Sequence, residues 1–246
     1  MLQRYFLELA YNGKAYHGWQ IQENATSVQQ VLNEALQTIL RHPVETVGCG
    51  RTDTGVHAIQ HFAHLDTEIE LGAKQMYSLN GLLPPDISIK NIIPVSRDAH
   101  ARFDATLRSY EYHIHFQKNP FRNDFSWFLR DVPDMDKMNQ AAAILSEYTD
   151  FSCFSKSNTQ TFTNNCKISR AVWEPTAYGY VFHISADRFL RNMVRATVGT
   201  LVEIAYGNMQ PEDIRSIIES KDRANAGVSV PACGLYLTEV KYPYIP

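Results

Sequence analysis

No stretch of the 246-residue chain approaches the run of about eighteen apolar residues that crosses a bilayer, so no membrane span is expected. Cysteine is scarce: Cys49, Cys153, Cys166 and Cys233 are the whole set, and no two form a Cys-x-x-Cys pair. Glu8 and Lys14 stand where a secretory leader would carry an apolar core, and the chain reads as one for a reducing cytoplasm. Gly-x-x-x-x-Gly-Lys-Ser/Thr, Gly-x-Gly-x-x-Gly and Gly-x-Ser-x-Gly are all absent, which weakens NTPase, dinucleotide-binding and serine-hydrolase readings. A large excess of charge is missing too. The net charge of −3 argues against a protein coated in basic side chains for nucleic acid.

The charge that is present is unevenly spread. Residues 151–200 hold six Lys and Arg against two acids, a local +4 in a chain whose other blocks of fifty are all negative. Such a patch suits holding a polyanion at one place, and chance clustering is the plain alternative. With 44% hydrophobic and 11% aromatic residues the chain can bury a large core, as one domain or as two halves sharing a sheet.

Hydrophobic alternation predicts strands over residues 4–11, 46–49, 57–65 and 88–95, and again over 108–116, 171–185 (a hairpin turning near Tyr178-Gly179) and 234–242. Helices are expected from Ser27, with Gln30 completing a capping box, over 74–82, over 135–146 with Asp134 as N-cap, over 189–206, and after Pro211. Strands followed by single helices and hairpins favour an α+β fold of two similar halves, residues 1–104 and 105–246, with antiparallel or mixed sheets and helices on one face. The polar connection over 152–167 is the one long loop.

Gly48-Cys49-Gly50-Arg51-Thr52-Asp53-Thr54-Gly55-Val56-His57 places a carboxylate and a guanidinium on a sharp turn between two apolar runs. Asp53 is either an Asx-turn residue beside a solvated Arg51, or a carboxylate kept ionised and aimed as a nucleophile or base. On a helix over 189–206, Arg188, Arg191 and Arg195 would fall within about 60° of one another, on a face shared with Asn192 and Gly199. That face is a solvated basic surface or a binding one, where Gly199 lets another backbone or a nucleotide approach. Tyr110 and Tyr112 alternate on a strand, as core packing or with a hydroxyl reaching a cleft. His57, His61 and His64 share a strand but not one face, and His113 and His115 lack an acidic pair, so no metal is expected at either place.

Six blocks in order resemble the tRNA pseudouridine synthase A family along nearly the whole chain. They are Tyr16-His17-Gly18-Trp19-Gln20; Gly50-Arg51-Thr52-Asp53 with Gly55-Val56-His57-Ala58; Leu83-Pro84 with Asp86-Ile87; Ala101-Arg102-Phe103 with Arg108-Ser109-Tyr110; Phe189-Leu190-Arg191-Asn192-Met193-Val194-Arg195 with Val198-Gly199; and Gly234-Leu235-Tyr236-Leu237. Thr54 departs from the alanine of many members and His17 from the tyrosine of some.

The resemblance implies a pseudouridine synthase fold, two α+β halves joined through one central sheet with the active cleft between them. It implies Asp53 as nucleophile, Arg195 as the arginine that pairs with it, Tyr110 as the pocket tyrosine and Arg51 as the residue that takes the place of the flipped base. The implied reaction converts uridine to pseudouridine at positions 38, 39 and 40 of the tRNA anticodon stem-loop, in a cytoplasmic homodimer with no cofactor. Whether the carboxylate adds to the base or the sugar stays open. The competing readings are a non-catalytic RNA-binding or RNA-chaperone module on the basic patch, and a metal-dependent hydrolase on the histidine-rich strand.

Overall fold

The structure, a computed structural model, describes residues 2–156 and 162–245. Residues 157–161 of the polar connection expected over 152–167 lie outside the described residues. In chain order the first elements are β1 (Gln3–Tyr11), α1 (Val28–Leu40), β2 (Val47–Gly48), β3 (His57–Thr67), α2 (Ala73–Leu82) and β4 (Ile87–Val95). There follow β5 (Leu107–His115), β6 (Trp127–Phe128), α3 (Met135–Ile144), β7 (Ile168–Pro175), β8 (Gly179–Ala186), α4 (Met193–Ala205), α5 (Asp213–Ser220) and β9 (Leu235–Lys241). The fold is α+β, with mixed strand pairing and five helices among the described residues. Its residues divide into two compact units, one of residues 1–106 with 236–246 and one of residues 107–235.

In the first unit β1 lies between β4 and β3, antiparallel to both. The other edge of β3 is shared by β2, antiparallel at Val47↔His64, and by β9, parallel at His57↔Tyr236. Phe6, Leu7, Leu9, Phe62 and Ala63 from these strands are fully buried with Leu32 and Leu36 of α1. Each of those leucines contributes roughly 1.5–3 kcal/mol by leaving water. Ser27 caps α1 by accepting from the Gln30 N–H at 3.3 Å, but the Gln30 side chain turns to Glu34 Oε1 (3.0 Å), so only half of the expected box forms. The amide of Asn80 in α2 brackets Ile89 of β4, donating to its carbonyl (2.9 Å) and accepting from its N–H (2.7 Å).

In the second unit β8 lies between β5 and β7, antiparallel to both, and β6 adds to β5 in parallel at Ile114↔Trp127. Alternation sorts the two faces. Tyr112, Ile114, Phe182, Ile184 and Trp173 are buried on one, while Glu111, His113, His183 and Glu174 lie half-buried or exposed on the other. Asn139 of α3 seals the buried side by bonding both the N–H (2.7 Å) and the carbonyl (3.1 Å) of Trp173. The hairpin closes at Gly179, where a Cβ would stand 2.1 Å from the Ile114 carbonyl oxygen.

The helix expected over 189–206 begins at Met193. Asn192, at φ 67°, is left-handed and breaks the run, and the preceding turn is held by Asp187 Oδ1, which accepts from the Lys167 and Arg188 N–H groups at 2.7 Å each. Arg188 and Arg191 therefore precede the helix, and the shared basic face with Arg195 does not form. Gly199 does meet another backbone: a Cβ there would be 1.9 Å from the Val228 carbonyl oxygen.

Candidate active site

The turn that carries Asp53 is held from below by two other stretches of the first unit. Gly18, at φ +86°, lies against it so closely that a Cβ would be 2.2 Å from the Thr52 carbonyl oxygen. Gly13 packs beneath the next bend, where a Cβ would be 2.0 Å from the Val56 carbonyl oxygen. Only glycine tolerates both approaches, and the positive φ of Gly18 adds a second reason there. The Asp53 carbonyl closes the turn by accepting from the Val56 N–H (3.1 Å), and Gly55 at φ +78° donates to the Tyr16 carbonyl (3.2 Å).

Side chains finish the clamp. The Tyr11 and Thr52 hydroxyls bond at 2.9 Å, and the Gly13 N–H donates to His57 Nδ1 at 3.1 Å. Tyr16 in turn donates to Asp86 Oδ1 at 2.6 Å, and burial with that partner pushes its phenol well above the ordinary range. Arg51 is exposed and Asp53 half-buried, both on a fixed backbone.

The histidines of β3 have structural tasks. His57 stacks on Tyr236 (4.7 Å between centroids) and His61 on Trp19 (4.0 Å), while His64 accepts the Ala101 N–H at 3.2 Å. Burial, with the charges of Arg4 and His100, lowers the His64 imidazole to about 4. Among the described residues no group of three or more His, Cys, Asp and Glu is arranged to hold a metal ion.

The second unit carries Tyr110 and Arg195. Tyr110 is half-buried on β5 and meets Phe189 edge-on, 5.1 Å between centroids. Arg195 stands in the first turn of α4, and its Nε donates to the Val230 carbonyl at 2.7 Å. Residues 226–231, which hold that carbonyl, carry no pattern that marks them in the sequence; in the structure Gly199 and Gly227 each meet the other's segment.

The first unit carries a carboxylate on a rigid turn, and the second, taken by itself, a tyrosine and an oriented guanidinium, all of them groups suited to covalent work on a flat, polar base. Residues 141–243 match the family described as tRNA pseudouridine synthase. Proteins called tRNA pseudouridine synthase A align over almost the full length. The one from Porphyromonas gingivalis is 51% identical over 98% of both chains, and that from Parabacteroides distasonis 48% identical over 98% of this chain and 97% of its own. A more distant relative of the same name, from Exiguobacterium sibiricum, is 35% identical over 98% of both. The chain belongs to the tRNA pseudouridine synthase A family.

Proposed function

We propose that this protein isomerises uridine to pseudouridine in tRNA, at positions 38, 39 and 40 of the anticodon stem-loop, with Asp53 as nucleophile. The observation that carries this is the identity of about half of all residues with tRNA pseudouridine synthases A over 98% of the chain.

In this reading the target uridine is flipped out of its stack, Tyr110 stacks on or hydrogen-bonds it, and Arg51 fills the vacated place. Asp53 attacks and the bond from uracil N1 to ribose C1′ breaks. The uracil turns, C5 bonds to C1′, the bond to Asp53 breaks and frees its carboxylate, the C5 proton leaves and N1 takes up a proton. Atoms balance without a donor, so the reaction calls for no cofactor. Arg195 pairs with Asp53 and fixes its direction in a site that excludes water. The clamped turn supports this role, because a nucleophile held on a rigid backbone needs little reorganisation to reach its target.

The reading extends to a cytoplasmic homodimer that holds one tRNA across both subunits. Among the described residues no helix is long and apolar enough to cross a membrane. Sedimentation equilibrium at micromolar protein tests the dimer, and a monomer there would remove it.

Incubation with undermodified tRNA tritiated at uracil C5 tests the reaction. Tritium is expected in water, with the label lost from positions 38 to 40. Salt-sensitive binding with no release from any tRNA would overturn the reading in favour of a non-catalytic RNA-binding module.

A further inference from the structure

Between α5 and β9, residues 226–231 form neither helix nor strand, yet they are tied to α4 and its approach along their whole length. The Gly227 N–H donates to Thr200 Oγ1 (2.9 Å), and the Val228 carbonyl occupies the space that Gly199 leaves open. The Ser229 hydroxyl accepts from two sides, from Asn192 Nδ2 at 2.6 Å and from Arg223 Nη2 at 2.9 Å. Val230 bonds Arg195 twice, its N–H donating to the Arg195 carbonyl (3.3 Å) and its carbonyl accepting from Arg195 Nε (2.7 Å). The buried Tyr112 hydroxyl then donates to the Pro231 carbonyl at 2.8 Å.

An arginine side chain has about 2 kcal/mol of rotamer entropy to lose, and a bond at Nε sets the plane of the whole guanidinium. The left-handed backbone of Asn192 is tolerated because its side chain is short and polar, and that conformation brings its amide to Ser229. The tethers on either side of Val230 thus converge on one carbonyl oxygen, the one that orients Arg195.

We propose that residues 226–231 are a positioning strap for Arg195, with Ser229, Asn192 and Tyr112 as positioning residues that act through the Val230 carbonyl. The inference rests on the role given to Arg195 above and adds the device that aims it. It also accounts for arginine over lysine, since an ammonium has no Nε to meet the strap while it faces a carboxylate.

The test is Ser229→Ala in the full-length protein, with tritium release and an NMR measurement side by side. Turnover number is expected to fall about ten- to a hundredfold, KM for tRNA to stay within about threefold, and Ser229→Thr to restore most of the rate. In an Arg195→Lys background the same change should cost less than about threefold of the residual rate, because the bond it protects is already gone. The Arg195 Nε–H resonance, assigned by its absence from Arg195→Lys, should exchange slowly in the wild type and at least about tenfold faster in Ser229→Ala.

Full turnover in Ser229→Ala, equal losses in both backgrounds, or an unchanged Nε–H exchange rate each overturn the strap. Should Ser229→Ala fail to fold, Tyr112→Phe keeps the ring, drops the bond to Pro231 and carries the same expectations. A wild type that releases no tritium while its Nε–H is protected by Ser229 would sink the proposed function and leave the strap standing.

Discussion

The turn that carries Asp53 and the helix that carries Arg195 are held in place by different physics. Around Asp53 the tightest contacts are backbone on backbone, with side chains only finishing the clamp: Gly13 and Gly18 bring main chain against main chain at distances no side chain permits. Around Arg195 backbone meets backbone too, Gly199 against Val228, but the residues on either side of the carbonyl that holds its guanidinium are fastened by side chains, a serine bonded to an asparagine on one side and a tyrosine on the other. Backbone packing is close to all-or-none, because an added methyl must displace a peptide. Side-chain tethers are graded, since each lost hydrogen bond costs about 1 kcal/mol. The first unit therefore fixes its charged group in a way that tolerates little change, and the second in a way that evolution can tune.

The largest expected effect separates chemistry from scaffold. Asp53→Asn keeps the turn, whose closing bond uses the backbone carbonyl, and should lower turnover by at least about a thousandfold while tRNA affinity stays within severalfold. Retained turnover would take Asp53 out of its role. Gly18→Ala comes next. It places a methyl 2.2 Å from the Thr52 carbonyl oxygen at a φ of +86°, and should destabilise the protein by about 2–4 kcal/mol in urea titration. A stable Gly18→Ala with full activity would show that the Asp53 turn does not depend on this backbone packing.

His64 gives a pH-dependent probe of the first unit. Its imidazole is held neutral at about 4, against an ordinary value of 6.5, so on acidification the unfolded chain takes up the proton first. The stability it contributes is whole above about pH 6.5, falls as the pH drops towards 4 and levels off below, a swing of up to about 3 kcal/mol. His64→Gln should flatten the stability profile across that window, and an unchanged slope would assign the acid sensitivity elsewhere. The smallest effect belongs to the exposed Arg170–Glu174 pair on β7, where Arg170→Ala should move the unfolding free energy by no more than about 0.5 kcal/mol.

The sequence is most legible where one periodicity rules. β1, α1 and β3 stand where the apolar pattern and the Ser27 cap put them: α1 has one buried face, the two strands are apolar enough to be buried on both over part of their length, and Asn12-Gly13 and Pro43 are clear stops for β1 and α1. It is least legible where a single residue overrides a pattern. The apolar run after Phe189 continues through Asn192, yet a left-handed φ there moves the helix start to Met193 and dissolves the apparent row of Arg188, Arg191 and Arg195. The stretches around Asp53 and Arg195 are marked in the sequence by their residue types, but their supports are not. Gly18 has no physical task that the sequence alone discloses, and the strap is a short run of mostly apolar residues that a carbonyl and a hydroxyl make important. A parallel pairing such as His57↔Tyr236 leaves no local trace, since the partners are far apart in sequence.

That pairing bears on the order in which the chain takes shape. Residues 107–235 are contiguous, so their unit is complete as soon as it leaves the ribosome, while the earlier unit waits for residues 236–246. Until then β3 lacks its parallel partner, Phe6 lacks the rings of Tyr242 and Tyr244, and the Ala101 carbonyl lacks the Tyr242 hydroxyl that meets it at 2.6 Å. A chain truncated after residue 235 and released should present a protease-resistant second unit and a protease-sensitive first one. The part made first, which carries Asp53, matures last, and no Asp53 turn is set on a finished sheet before residues 236–246 have been synthesised.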